Sequence, residues 1–286
     1  MTLPIRQLRT LLVLGRVSNV PTVWSNCLAA WLLNGGGPWS NFLLLCLATT
    51  LLYIGGMFLN DSFDAEFDRE FRKERPIPSG QIKVQTVWLI GSILLLSGWL
   101  LTWLLGTSVA IGALLLVTAI VVYDAVHKRT AFAPLLMALC RLLLYITTGL
   151  ATLQPLSQSV LWHGLALAAY VTGLSYFARS ESKPGIIQRW PMLLLFTPLL
   201  ANAFVNPHRD AASWIASGIF LAWLLWCLRG LFGRTKPNMG RVVAGLLAGI
   251  VWVDASTLPR PNVLPAFIFA GLFGLALLLQ RKIPAT

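Results

Sequence analysis

Long apolar runs broken by short polar stretches make up almost the whole chain. Crossing about 30 Å of hydrocarbon takes roughly 20 helical residues. Runs of that order fall near 17–34, 41–60, 84–105, 108–125, 131–152, 160–178, 188–206, 211–230, 241–258 and 263–280, so the pattern predicts ten helices. The stretch 241–258 is the weakest, because it is glycine-rich and carries Asp254. Taken as a broken or interfacial segment it leaves nine spans; taken as a span it makes ten. No polar stretch is long enough to build a core of its own, so 1–286 reads as a single polytopic membrane domain with polar loops near 60–83, 123–130 and 175–189. Gly35-Gly36-Gly37-Pro38 marks a turn and not a phosphate loop, since no strand precedes it and no basic residue follows.

The polar breaks are asymmetric. Taken alternately, one set of loops holds 19 of the 22 Lys and Arg residues; the other holds Arg209 and Arg260, and Arg141 lies inside a run. By the positive-inside rule the N-terminus and the basic loops face the cytoplasm. Ten spans would put the C-terminus there too, and nine would put it outside. Composition agrees: 57% hydrophobic, 11% charged and a mean hydropathy of +0.73 exclude a soluble globule, in which about a quarter of residues are charged. Loop asymmetry also accounts for the net charge of +12, which removes the reason to expect nucleic acid as a partner. No small-residue cleavage site follows the basic Met1–Arg16 segment, so the first run is expected to stay as a span. Cys27, Cys46, Cys140 and Cys227 sit singly in apolar runs, as packing residues rather than disulfide or zinc partners.

Chemistry concentrates at one place. Of ten acidic residues, six (Asp61, Asp64, Glu66, Asp68, Glu70 and Glu74) fall within fourteen positions at the end of the second run. If the helix continues past Asn60, then Asn60, Asp64 and Asp68 stack at successive i+4 positions with Asp61 on the same face. Like charges stacked this way raise one another's pKa unless a cation lies among them. A hard divalent ion suits such oxygens. Mg²⁺ typically takes one or two carboxylates and shares its remaining positions with water and substrate phosphates, which implies a phosphorylated substrate. The bland alternative is a solvated loop in which Arg69, Arg72, Lys73 and Arg75 pair with the acids.

The stretch from Asn60-Asp61-Ser62-Phe63-Asp64 to Asp68-Arg69, followed by Arg75-Pro76-Ile77-Pro78-Ser79-Gly80, resembles the first motif of the UbiA family of intramembrane prenyltransferases. The resemblance implies an all-α integral membrane fold, a bundle of nine or ten transmembrane helices around a central cavity open to the cytoplasm. It also implies that Asn60, Asp61, Asp64 and Asp68 hold Mg²⁺ against an isoprenyl diphosphate donor, with Arg72 and Arg75 as phosphate contacts or loop-ordering groups. Tyr123-Asp124-Ala125-Val126-His127-Lys128-Arg129 is similar to the family's Tyr-x-x-x-x-Lys-Arg element, which would turn Lys128 toward the diphosphate; without the family, Lys128 and Arg129 are ordinary positive-inside anchors. His127 has no neighbouring ligand in sequence and is expected to be exposed or loosely bonded.

The third basic loop departs from the pattern. Where the family carries a second aspartate-rich motif, this chain reads Tyr176-Phe177-Ala178-Arg179-Ser180-Glu181, a form that resembles the UbiA-like subgroup called EboC. Either Glu181 assists the first cluster in holding metal, or Arg179 and Lys183 stand in for a second ion. Arg16-Val17-Ser18-Asn19-Val20-Pro21 is similar to a relaxed form of the family's Arg-Pro segment, with Asn19 a candidate for lining the cavity or for an interhelical hydrogen bond. Arg141, deep in its run, is expected to contact acceptor or diphosphate, or to pair with Asp124 or Asp254. These expectations add up to a Mg²⁺-dependent prenyltransferase joining an isoprenoid diphosphate to a small-molecule acceptor, in contact with membrane lipid. The alternative is a binding or transport component for a prenyl-diphosphate lipid, without turnover. A generic transporter fits less well, since its ionisable groups would lie near the midplane.

Overall fold

A computed structural model describes residues 3–181, 190–205, 211–231, 238–258 and 263–285, with the side chains of 3–6, 180, 181, 230 and 263 outside that description. All regular structure among these residues is helical. The chain opens with α1 (Leu3–Leu14), an amphipathic helix that the span pattern did not foresee. A 3-10 turn over Val17–Asn19 leads into α2 (Val20–Leu33), whose second residue, Pro21, carries a fixed φ suited to a helix start. There follow α3 (Trp39–Phe63), the short α4 (Ala65–Phe71), α5 (Val84–Thr102), α6 (Thr107–Val126), α7 (Ala133–Leu150) and α8 (Gln158–Glu181). The C-terminal part consists of α9 (Pro191–Leu194), α10 (Thr197–Val205), α11 (Ala211–Leu228), α12 (Met239–Ala255) and α13 (Val263–Gln280).

Six of these helices are long and apolar enough to cross a membrane by themselves: α3, α5 with its 3-10 extension to Leu105, α6, α7, α8 and α11. The run 188–206 is not one helix but two. Pro198 has no N–H to give the Leu194 carbonyl, and the Thr197 hydroxyl takes that acceptor instead at 2.7 Å. The run 241–258, expected to be the weakest, is a continuous helix whose residues are mostly buried. Its glycines are the reason it packs there. A Cβ at Gly245 would lie 2.7 Å from Cys227 Sγ, and one at Gly249 would lie 3.1 Å from the Trp223 ring, so α12 approaches α11 more closely than larger residues allow.

The two largest apolar clusters hold the bundle. The larger joins α2, α7, α8, α11, α12 and α13 through Tyr145, Tyr170, Phe177, Phe220, Leu246 and Ile250. The smaller joins α2, α3, α5, α6 and α7 around Val23, Leu52, Leu59, Leu95, Leu116 and Leu144. The end of α3 that carries the acidic residues borders this second cluster.

A candidate active site at the end of helix α3

Backbone hydrogen bonding runs through the α3–α4 junction. The Asp64 amide donates to the Asn60 carbonyl at 3.0 Å and the Asp68 amide to the Asp64 carbonyl at 2.8 Å. The i, i+4 stacking expected from the sequence therefore survives the break between the two helices. Asn60, Asp61, Asp64 and Asp68 are all buried, Asp68 to 1% exposure, so these four are not part of a solvated loop, whereas Glu66, Glu70 and Glu74 are exposed. One Arg75 nitrogen touches both Asp61 (3.1 Å) and Asp68 (3.2 Å). Arg75 is aimed by its own loop, in which Pro76 and Ile77 are buried; Ile77 packs in a cluster with Phe58 of α3 and Val87 of α5. Gln81, in the same loop, accepts from Thr10 of α1 at 3.0 Å.

Two further elements bring cations to the acids. Arg16, just before α2, donates to Asn60 at 3.1 Å and to Asp61 at 3.2 Å. Its backbone is held in the left-handed region at φ 40°, an uncommon conformation for a residue with a side chain. From the end of α6, Lys128 reaches Asp64 at 3.1 Å while lying over the Phe67 ring at 3.4 Å. His127 Nε2 also meets Asp64, at 3.3 Å, which corrects the expectation that this histidine is exposed or loosely bonded. Tyr123 stacks on the His127 ring at 5.0 Å, and Asp124 accepts from the Asn60 amide at 2.9 Å, tying α6 to α3.

These contacts set the charges. Burial pushes the Asp64 carboxyl up, but His127 and Lys128 together outweigh it and hold the group below the ordinary aspartate value. Burial wins at Asp68, where Arg75 opposes it and the neighbouring Asp64 and Asp61 add to it, so this carboxyl sits above the ordinary value. Burial lowers the Lys128 ammonium against the pull of Asp64.

The donor set suits a hard cation, and Asp68 Oδ1 is buried without a hydrogen-bond partner. Among the described residues no three His, Cys, Asp or Glu side chains converge on one point. The cluster therefore offers an ion one or two carboxylates, the number Mg²⁺ takes when phosphate and water complete its shell.

The remaining candidates fall elsewhere. Arg72 lies beside the cluster and has no ion-pair partner among the described residues. Arg179 does not reach the carboxylates; it donates to the carbonyls of His127, Thr130 and Ala131, clamping the loop that carries Lys128. Asn19 donates to the Ala285 carbonyl at 2.8 Å, against the C-terminal segment; it does not itself line the chamber, though it neighbours Tyr53, which does. Arg141 donates to the Asn26 side chain and to Thr22, so the expected pairing with Asp124 or Asp254 is not made directly; the Asn26 amide links it to Asp254. The Glu181 side chain and Lys183 lie outside the described residues. Arg16, in the same segment, is the residue that reaches the cluster, and the sequence reading does not single it out, although a basic residue ahead of a proline-started helix is there to be read.

Behind the cluster, a chamber of about 600 Å³ of atom-free space, its mouth included, opens between α2, α3, α6 and α7. Its walls are mostly apolar, with Val23, Leu52, Met57, Leu116, Ile120 and Leu144 among them, and Tyr123, Asp124 and Arg141 supply polar groups.

Fold and site together define a multi-helix integral membrane protein with a buried acid–base cluster beside an apolar chamber. The UbiA prenyltransferase family model matches residues 18–256, and the chain belongs to that family. Over 177 residues it is 34% identical to a digeranylgeranylglyceryl phosphate synthase of Sulfurisphaera tokodaii, covering 62% of this chain and 54% of that protein. Over 77 residues it is 33% identical to a 4-hydroxybenzoate octaprenyltransferase of a Polaromonas species, covering 26% of this chain and 27% of that one. The chain thus spans about half the length of the first relative and about a quarter of the second. The apo structure of a UbiA homolog from Aeropyrum pernix shares the fold, with a TM-score of 0.66 over 85% of this chain and 97% of that one at 13% identity.

Proposed function

We propose that the protein is a Mg²⁺-dependent prenyltransferase that moves an isoprenoid group from an allylic diphosphate to a small acceptor inside the membrane. The observation that carries this reading is the burial of Asp61, Asp64 and Asp68 against Arg16, Arg75, His127 and Lys128 at the edge of an apolar chamber. One or two of Asp61, Asp64 and Asp68 would hold the ion, with Glu181, whose side chain lies outside the described residues, a further candidate ligand. The bound ion would supply positive charge to the departing diphosphate. Lys128, Arg75, Arg16 and Arg72 meet the diphosphate oxygens, and Tyr123 and Asn60 border the same space. As the allylic C–O bond breaks, its electron pair leaves with the diphosphate. The chamber walls keep water from the carbocation until the acceptor attacks and gives up its proton. By the charge asymmetry of its loops, the site faces the cytoplasm.

The test is release of inorganic diphosphate from geranylgeranyl diphosphate by the purified chain with Mg²⁺. Asp64→Asn should lower turnover by roughly 100-fold or more while the protein still folds and inserts, with a lower melting temperature because His127 and Lys128 lose their carboxylate. Near-normal turnover in that variant would count decisively against the reading. A second reading, a lipid-diphosphate binding or transport component without turnover, draws on Arg179, which is committed to loop carbonyls rather than offered to phosphate. Stoichiometric retention of intact donor with no diphosphate released would favour it.

A further inference from the structure

His127 and Lys128 are neighbours in the sequence, yet both side chains meet the same oxygen of Asp64. Consecutive residues on a helix point about 100° apart, so the two converge only because α6 stops at Val126 and the chain turns. Inside the turn, the Arg129 and Thr130 amides both donate to the Val126 carbonyl, at 2.8 and 3.1 Å. The carbonyls of His127, Thr130 and Ala131 are taken by one side chain from α8. Arg179 Nη2 donates to His127 (3.3 Å) and Thr130 (2.8 Å), and Nη1 donates to Ala131 (3.0 Å). The Tyr176 hydroxyl, three residues earlier on α8, reaches the Ala131 carbonyl at 3.4 Å. A guanidinium is well placed there, because carbonyls at a helix C-terminus lack partners within the helix and the dipole favours a cation.

The turn is thus pinned from two sides, by the His127 and Lys128 side chains on Asp64 of α3 and by its backbone on Arg179 of α8. Lys128 also lies over the Phe67 ring, with 31% of its side chain exposed. We propose that Arg179 is a positioning residue for the donor site: it touches neither the carboxylates nor the diphosphate, but it sets the turn that delivers Lys128 to both. Without the clamp, nothing fixes the backbone at the angle that lets two consecutive side chains share one carboxylate, and the Lys128 ammonium leaves the place where the diphosphate meets it. An arginine is required because its two Nη groups span carbonyls four residues apart, from His127 to Ala131, which the compact ammonium of a lysine does only in part. Helix α8 therefore serves the donor site through the backbone of another segment.

This inference rests on the prenyltransferase reading, and two readouts keep them apart. The first is a double-mutant cycle on the full-length chain in detergent with Mg²⁺, titrated calorimetrically with geranylgeranyl thiodiphosphate, a non-ionising donor analogue. Lys128→Met and Arg179→Gln should each weaken binding by roughly 10-fold. The double variant should bind no more weakly than Lys128→Met alone, because the effect of Arg179 passes through Lys128. A double variant weaker by the product of the two losses, about 100-fold, overturns the proposal. Arg179→Lys should recover part of the affinity, and it carries the same cycle if Arg179→Gln does not fold. The second readout needs no donor. Brief acetylation of the ligand-free protein with acetic anhydride, read by mass spectrometry, compares Lys128 with the exposed Lys73. Arg179→Gln should raise the rate at Lys128 several-fold and leave that at Lys73 unchanged; an unchanged rate at Lys128 overturns the proposal. If the wild type does not bind the analogue, the donor reading falls, and the acetylation rates still decide whether Arg179 positions Lys128.

Discussion

Asp64 and Asp68 lie one helical turn apart and titrate in opposite directions from the ordinary aspartate value. The difference lies in partners: His127 and Lys128 both converge on Asp64, while Asp68 shares a single Arg75 with Asp61 and keeps one buried oxygen bare. Asp64 is therefore ionised across the physiological range, and under the proposed function Asp68 is the carboxylate whose proton would compete with Mg²⁺. Because its folded value is raised, Asp68 takes up its proton at a higher pH than an ordinary aspartate. The Mg²⁺ concentration for half-maximal diphosphate release should then climb as pH falls through that raised value, and Asp68→Asn should flatten the climb. The same sign applies to stability without metal. A carboxyl with a raised folded pKa favours the fold at low pH and loses that contribution as pH rises, so Asp68→Asn should not melt lower than wild type at neutral pH. A lower melting temperature there, or an unchanged pH slope, would sink the argument. The acids themselves were legible because carboxylates are scarce in this chain and crowd into fourteen positions. Their partners were not. Arg16 meets Asp61 across 45 positions and His127 meets Asp64 across 63, and no local pattern says which of many basic residues will be folded against which acid.

Among the helices, α12 shows how an apolar pattern misleads when a segment is enclosed by protein instead of lipid. Hydropathy rewards large side chains, which suit a lipid-facing surface; a central helix needs small ones where its neighbours press closest. Gly245 and Gly249 weakened 241–258 as a span and are what allow it to pack against α11. Asp254 weakened it too, and three hydrogen bonds from α2 and α7 meet that carboxylate inside. The break between α9 and α10 was missed for the opposite reason, since Pro198 inside an apolar run does little to its hydropathy and much to its hydrogen bonding. Gly245→Val puts its added carbon 2.7 Å from Cys227 Sγ, so it should cost about 1–3 kcal/mol and lower the unfolding midpoint in detergent. Gly271, with nothing within 4 Å of a built Cβ, serves as the control: Gly271→Val should leave the midpoint close to wild type. If both variants behave alike, α12 does not press on α11 as described.

For the molecule as a whole, what matters is that the proposed diphosphate site and the chamber are built from the same helices and kept apart along them. The ends of α3 and α6 carry the acid–base cluster, while the preceding turns of those helices, with α2 and α7, wall the chamber. Arg179 of α8 adds a brace from outside this group by fixing the loop that bears Lys128. Such a division predicts that the chamber can be narrowed without disabling donor ionisation. Ile120 lines the chamber one turn before Asp124, so Ile120→Trp intrudes where the acceptor must sit and leaves Asp61, Asp64, Asp68 and Lys128 untouched. In the variant, geranylgeranyl diphosphate should still release inorganic diphosphate, but more of the carbocation should be captured by water. The ratio of transferred product to free prenol should fall by roughly tenfold or more, a barrier difference of about 1.4 kcal/mol. Chromatographic separation of the two products from one radiolabelled reaction measures that ratio directly. A parallel loss of both products would mean that the chamber and the diphosphate cluster act as one site and not as two joined in series.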